Sequence, residues 1–118
     1  MIKHNKTIIG RTVSLILINN NISIEIIAKV DTGAYSSSIS MCLFEKLGQM
    51  EETKIEVIKS AIGESTRQFY KLKLSNNQIC VESEINLSDR TNMKFDMILG
   101  RKDISKFGYI IDPSKKII

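Results

Sequence analysis

The chain has 118 residues, of which 42% are hydrophobic and 25% charged, the balance of an ordinary globular protein. This length supports one core and not two, so we predict a single domain over residues 1–118. The net charge of +4 is too dispersed for a nucleic-acid binder, and the apolar runs are too short for a membrane span or an export signal.

The two cysteines, Cys42 and Cys80, are too few for a disulfide framework. Their apolar neighbours predict two buried free thiols, which fit a reducing compartment. We therefore expect a cytoplasmic protein with neither a membrane nor a nucleic acid as its partner.

Apolar residues alternate with polar ones over the first part of the chain. The alternation covers residues 13–17, stops at an asparagine cluster over residues 19–21, and resumes over residues 22–30. This pattern predicts a β-hairpin. Its second strand leads directly into Asp31-Thr32-Gly33-Ala34.

A short helix is predicted next, with Ser40 as its N-cap and Gly48 at its end. Strand patterns return over residues 54–60 and 67–74, on either side of a hairpin tip at residues 62–65.

The last third of the chain predicts three further strands, over residues 79–87, 95–99 and 109–111, and a helix over residues 101–107. A polar loop over residues 88–94 precedes the second of these strands. The whole inventory, seven or eight strands with one or two short helices, indicates a small all-β barrel or sandwich.

Asp31-Thr32-Gly33 is a weak signal by itself, since an aspartate after a strand is commonly a turn former. Small residues follow it, and a second apolar strand ends in Gly100-Arg101. Gly100 permits a close approach of two backbones and Arg101 offers a fork of donors, so both are candidates for structural support of a site at Asp31. The alternative for Arg101 is a solvated arginine.

With these motifs, the chain resembles the retropepsins, which are the retroviral-type aspartic proteases active as homodimers. It is most similar to a bacterial and archaeal retropepsin-like group often labelled "ATP-dependent zinc protease". Members of that group commonly accompany RimK-type ligases, which add glutamates to protein tails. The matching segments are residues 9–11, 28–34, 87–90, 93–101 and 111–114.

The resemblance implies a retropepsin-like closed β-barrel and a homodimeric aspartic peptidase. Because the chain has one Asp-Thr-Gly, the second catalytic aspartate must come from another copy. Two carboxylates held close together share one proton, so the ionised one takes a proton from water and the protonated one polarises the scissile carbonyl. Asp31, Thr32 and Gly33 are the predicted catalytic residues.

The resemblance also implies a peptide or protein substrate. Ala34 would leave room for the substrate backbone, and Ile62 and Gly63 belong to a flap that closes over it. On charge alone, Arg67, Arg90 and Lys94 are candidate contacts to an acidic, glutamate-rich tail.

The sequence departs from the viral pattern at one position beside the motif. Viral relatives place an acidic partner for the Gly-Arg arginine where this chain has Tyr35. We therefore expect Arg101 to pair with an acid elsewhere in the chain or on the partner subunit.

Other functions fit the sequence less well. The chain has one histidine, His4, and no metal-ligand spacing or phosphate loop, so we predict no metal and no cofactor. The main rival is a non-catalytic dimerisation or binding module with the same fold. A barrel that binds single-stranded nucleic acid ranks last, because most of the three tyrosines and four phenylalanines occupy core-like positions.

Overall fold

A computed structural model describes residues 7–88 and 94–115. Nine strands and two short helices lie in these ranges. They are β1 (Ile8–Ile9), β2 (Thr12–Asn19), β3 (Ile22–Val30), β4 (Ser38–Ser40), α1 (Met41–Leu47), β5 (Glu52–Ser60), β6 (Gly63–Ser75), β7 (Cys80–Ser88), β8 (Met97–Leu99), α2 (Arg101–Phe107) and β9 (Ile110–Ile111).

Six strands form a closed barrel in the order β2-β3-β8-β4-β7-β6. The barrel closes where β2 pairs with β6, from Ile16 opposite Ser75 to Ile18 opposite Lys73. Strand β5 extends the sheet beyond β6, and β1 pairs with β9 in a separate two-stranded sheet. The prediction of a small, single-domain, all-β closed barrel with short helices is confirmed.

The β2–β3 hairpin follows from its alternating sequence. Leu15, Leu17 and Ala28 point into the barrel and are almost fully buried. The connecting turn places Asn20 in the left-handed region at φ 54°, which asparagine tolerates better than most residues.

The β5–β6 hairpin differs from its prediction at the tip. The turn consists of Ala61 and Ile62 alone, and β6 begins at Gly63, which pairs with Ser60. A two-residue connection is a common way to close a hairpin, so residues expected in a longer tip belong to the strand. Ile62, in the turn itself, is almost completely exposed.

Both helices lie where the sequence predicts them. The Ser40 hydroxyl accepts a hydrogen bond from the Leu43 N–H at 3.2 Å, and Gly48 ends α1. In α2, Ile104 and Phe107 face the core as expected. Neither helix in the described part of the chain is long and apolar enough to cross a membrane.

The sequence prediction is wrong for the two thiols and incomplete for two short strands. Cys42 and Cys80 are both exposed. Cys42 lies on α1 away from the buried Leu43 and Leu47, and Cys80 begins β7 beside a turn. Strands β1 and β4 were not predicted, because segments this short owe their extended shape to the strands with which they pair.

Candidate active site

Asp31 lies directly after β3, half-buried, at the start of a tight loop. Its N–H donates to the Leu99 carbonyl at 3.0 Å, and its own carbonyl accepts from the Ala34 N–H at 3.2 Å. The Gly33 N–H donates to Asp31 Oδ1 at 2.9 Å. The loop therefore folds back on Asp31 and fixes the orientation of its carboxylate.

The second loop reaches this site because β8 runs parallel to β3. Val30 pairs with Leu99, so both strands end at the same edge of the barrel. Gly100, which follows β8, lies against the backbone of the Asp31 loop: a Cβ at this position would come within 2.6 Å of the Ser36 carbonyl carbon and oxygen. The two loops cross at a distance that only a glycine permits.

Arg101 holds the same crossing from the start of α2. Its N–H donates to the Ala34 carbonyl at 2.8 Å, and its guanidinium donates to the Thr32 carbonyl at 2.9 Å. The guanidinium carbon lies 5.7 Å from the centroid of the Tyr35 ring, within the range of a cation–π contact.

The expected ion pair of Arg101 within its own chain does not form among the described residues, where no carboxylate pairs with it. A backbone carbonyl and the Tyr35 ring take that place, since a carbonyl oxygen accepts from the guanidinium without needing a second charge. An acid from a partner subunit stays a prediction.

A buried polar cluster lies beneath the crossing, and sequence reasoning missed it. The hydroxyls of Ser37 and Ser83 both donate to Asp103 Oδ2 at 2.6 Å, and the Gly100 N–H donates to Ser37 Oγ at 3.0 Å. Asp103 is only 2% exposed. The sequence did offer one indication of this cluster. Asp103 directly precedes Ile104 on a helix with a buried face, and a buried carboxylate needs hydrogen-bond donors.

The predicted flap residues lie at the far end of the β5–β6 hairpin. The side chain of Ile62 is 99% exposed, so the tip does not cover Asp31 in the single chain. Arg67 is exposed on β6 opposite Glu56. This hairpin also exposes the apolar side chains of Ile55 and Val57.

The structure does not bring Lys94 together with Asp31. Lys94 lines an open groove with Ile26 and Ile27, near the middle of β3. At 3.3 Å per residue this groove is about 15 Å from Asp31 along the strand. Arg90 lies outside the described residues.

Two cations that the sequence analysis did not select lie beside the site. The Arg11 carbonyl accepts from the Val30 N–H at 2.9 Å, directly before Asp31, and Lys29 is its neighbour on β3. Both residues are exposed, as is Arg101. Two exposed cationic residues therefore lie near Asp31 along the β2–β3 ladder. Within the described ranges, no cluster of three or more His, Cys, Asp or Glu side chains is arranged to hold a metal ion.

Comparison with known protein families identifies the chain. A family model described as "Retropepsin-like aspartic endopeptidase RimB" matches residues 44–118, more than half of the sequence. The chain belongs to this RimB-like family. The matched segment includes Gly100, Arg101 and Asp103 but begins after the Asp31 loop. The Asp-Thr-Gly sequence of that loop is therefore a separate observation, independent of the RimB-like match.

Solved structures share the fold at low sequence identity. Lpg0085 of Legionella pneumophila, a DUF785 protein of unknown function, is 20% identical and has a TM-score of 0.64, over 96% of this chain and 98% of its own. The EIAV protease, solved with the inhibitor HBY-793, is 15% identical with a TM-score of 0.62, over 91% of each chain. The simian foamy virus protease is 18% identical with a TM-score of 0.59, over 91% and 99%. No curated protein sequence matches this RimB-like chain significantly.

Proposed function

We propose that the chain is a homodimeric aspartic peptidase in which one Asp31 from each copy activates a shared water. The observation that carries this proposal is the half-buried Asp31 carboxylate, oriented by the Gly33 N–H in a loop that Gly100 and Arg101 hold in place. Membership in a retropepsin-like aspartic endopeptidase family supports it.

The reaction follows from two carboxylates that share one proton. The ionised Asp31 takes a proton from the water while the water oxygen bonds to the scissile carbonyl carbon. The protonated Asp31 donates its proton to the carbonyl oxygen. The tetrahedral intermediate then breaks its C–N bond, and the leaving nitrogen receives a proton from the pair. Thr32 is exposed and offers its hydroxyl to the partner loop, while Gly33 and Ala34 leave space for the substrate backbone.

A dimer is required because each chain supplies one Asp-Thr-Gly. The β1–β9 sheet is the proposed contact. Ile8 pairs with Ile110 across this sheet, and the two side chains are 51% and 47% exposed. Two neighbouring exposed isoleucines on a two-stranded sheet favour burial against a second copy.

The test is cleavage of a tryptic digest of a bacterial lysate, read by mass spectrometry, at several concentrations of the protein. We expect new peptide ends, at a rate per chain that falls on dilution as the dimer dissociates. Ile110→Glu should shift the protein to monomer in sedimentation velocity and lower cleavage at least about tenfold, because it introduces a charge into the proposed contact.

The matched control for this test is Ile79→Glu, the same substitution at a side chain that is 43% exposed and lies outside β1 and β9. It should leave both the oligomeric state in sedimentation velocity and the cleavage rate unchanged. A rate per chain that is independent of concentration in a monomeric protein would contradict the homodimer. A stable dimer without cleavage would favour the non-catalytic binding module.

We further propose acidic peptides as the substrate class, with glutamate-rich tails as one example. Three exposed cationic residues support this choice: Arg11 and Lys29, near Asp31 along the β2–β3 ladder, and Arg101, bound to the Asp31 loop. Arg67 on the hairpin adds a fourth, while Arg90 stays a prediction and Lys94 lies in a groove away from Asp31. Cleavage of a glutamate-rich peptide should exceed that of its glutamine-substituted twin by about tenfold at low salt. The ratio should shrink at 1 M salt, where the Debye length is about 3 Å. Equal rates at low salt would exclude charge recognition.

A further inference from the structure

We infer that Asp103 is a positioning residue for the Asp31 loop, acting through Ser37 on the backbone of Gly100. None of these three residues needs to touch the substrate. The role rests on a chain of hydrogen bonds: Gly100 N–H to Ser37 Oγ at 3.0 Å, and Ser37 O–H to Asp103 Oδ2 at 2.6 Å.

The carboxylate decides which way the Ser37 hydroxyl points. A hydroxyl has one proton, and donating it to Asp103 turns an oxygen lone pair toward the Gly100 N–H. Without an acceptor at position 103, the hydroxyl is free to rotate and the Gly100 N–H loses a fixed partner. Ser37 is completely buried, so no solvent molecule at the surface replaces the lost bond directly.

Asp103 also ties the crossing to the barrel wall. Its Oδ2 accepts a second bond, from Ser83 on β7, at 2.6 Å. The Ser37 carbonyl in turn accepts from the Asn86 N–H on the same strand at 3.1 Å. One carboxylate oxygen therefore joins three elements: the loop after Asp31, strand β7 and helix α2.

A stability role alone accounts poorly for this carboxylate. Its Oδ1 atom is buried and accepts no hydrogen bond from the described residues, and its ion pair with the Lys106 ammonium nitrogen is long, at 4.0 Å. A buried carboxylate with one oxygen that accepts no hydrogen bond stabilises the fold less than an apolar side chain of similar size would. The carboxylate instead fixes the orientation of the Ser37 and Ser83 hydroxyls, which both donate short hydrogen bonds to one of its oxygens.

The consequence for catalysis rests on the proposed function. The N–H groups of Arg101 and Lys102 donate to the carbonyls of Ala34 and Tyr35, so a shift at the start of α2 moves the Asp31 loop. In a dimer, the two Asp31 carboxylates must remain within reach of one water. A looser crossing would lower the rate of the chemical step more than it changes substrate binding.

The primary test is amide hydrogen exchange followed by NMR, which needs no substrate. In Asp103→Leu, the Gly100 amide should exchange about ten times faster relative to the β2–β3 ladder, since a hydrogen bond supported by a charged group is lost. Asp103→Asn should keep the protection within about threefold, because its amide oxygen accepts from both serines. Ser105→Ala, an exposed change on the same helix, is the control and should alter nothing.

Two results would overturn the inference: unchanged Gly100 exchange in Asp103→Leu, or a loss of protection equal to that of the ladder. If Asp103→Leu fails to fold, Ser37→Ala decides instead. It removes the acceptor of the Gly100 N–H and leaves the Ser83 bond to Asp103 intact. Faster exchange confined to the crossing supports the inference, and unchanged exchange excludes it.

A kinetic arm uses any peptide that the wild-type protein cleaves. Asp103→Leu should lower kcat about tenfold with KM within about twofold, and Asp103→Asn should restore kcat. A wild-type protein without cleavage would contradict the proposed function, while the exchange measurement still decides the role of Asp103.

Discussion

We expect the replacement of Asp31 by Asn to abolish peptide cleavage and to leave the fold unchanged. The asparagine Oδ1 still accepts from the Gly33 N–H, so the loop keeps its shape. The amide neither takes a proton from water nor gives one to the leaving nitrogen, and loss of general acid–base catalysis should lower kcat on the order of 10³-fold or more. The measurement is mass-spectrometric cleavage of the tryptic digest, together with sedimentation velocity to verify that the variant still dimerises.

The matched control is Asp96→Asn, the same chemical change at an exposed aspartate that accepts a hydrogen bond from the Ser40 hydroxyl at 2.9 Å. An asparagine there also accepts this bond, so the rate should stay within about twofold of wild type. Mixing wild-type and Asp31→Asn chains should reduce activity beyond simple dilution, because each mixed dimer has one carboxylate. Full activity of Asp31→Asn would exclude Asp31 as a catalytic residue.

The barrel was predictable because its long strands carry their own signal. The alternation before and after the asparagine turn is decided by which side chains face the core, and Leu15, Leu17 and Ala28 are buried as that pattern requires. Strands β1 and β4 carry no such signal. They are extended because β9, β7 and β8 offer them backbone partners, and that information lies far away in the sequence.

The residues of the candidate site likewise differ in how well the sequence predicted them. Asp31, Gly100 and Arg101 were found from motifs at the ends of two apolar strands, and the parallel pairing of β3 with β8 brings those ends together. Lys94 was selected by charge alone, which carries no information about position, and it lies in a groove away from Asp31.

The partners of a side chain were the least predictable feature. Arg101 was expected to pair with a carboxylate in its own chain or on a partner subunit. Within the described residues it donates to the Thr32 carbonyl, a backbone atom that every residue type provides. Asp103 was overlooked because an aspartate on a short helix is normally solvated, and only the close approach of Ser37 and Ser83 makes its burial possible.

Replacing Gly100 by Ala adds one atom, the Cβ, where the loop after β8 crosses the Asp31 loop, and so tests how closely the two loops approach. Gly100 has φ −87° and ψ 172°, an extended conformation open to any residue, so the backbone itself adds no strain. The added Cβ would lie 2.6 Å from the Ser36 carbonyl and 2.8 Å from the Tyr35 carbonyl oxygen, and backbone atoms cannot move aside as a flexible side chain does. We expect the free energy of unfolding to fall by about 3 kcal/mol, at the upper end for overpacking, and cleavage to fall with it because the Asp31 loop is displaced.

Gly108→Ala is the control: it is the same substitution at the other end of α2, but there the expected destabilisation comes from backbone conformation and not from crowding. A Cβ there meets no atom within 4 Å, but φ is +68°. The expected loss is about 1 kcal/mol from backbone conformation alone, with kcat unchanged. Urea unfolding of both variants at one protein concentration, with kcat measured on the folded protein, separates the two effects. If Gly100→Ala costs no more than Gly108→Ala and cleaves normally, the loops do not cross as closely as the structure has them. Residues other than Gly100 and Arg101 would then have to hold the Asp31 loop in place.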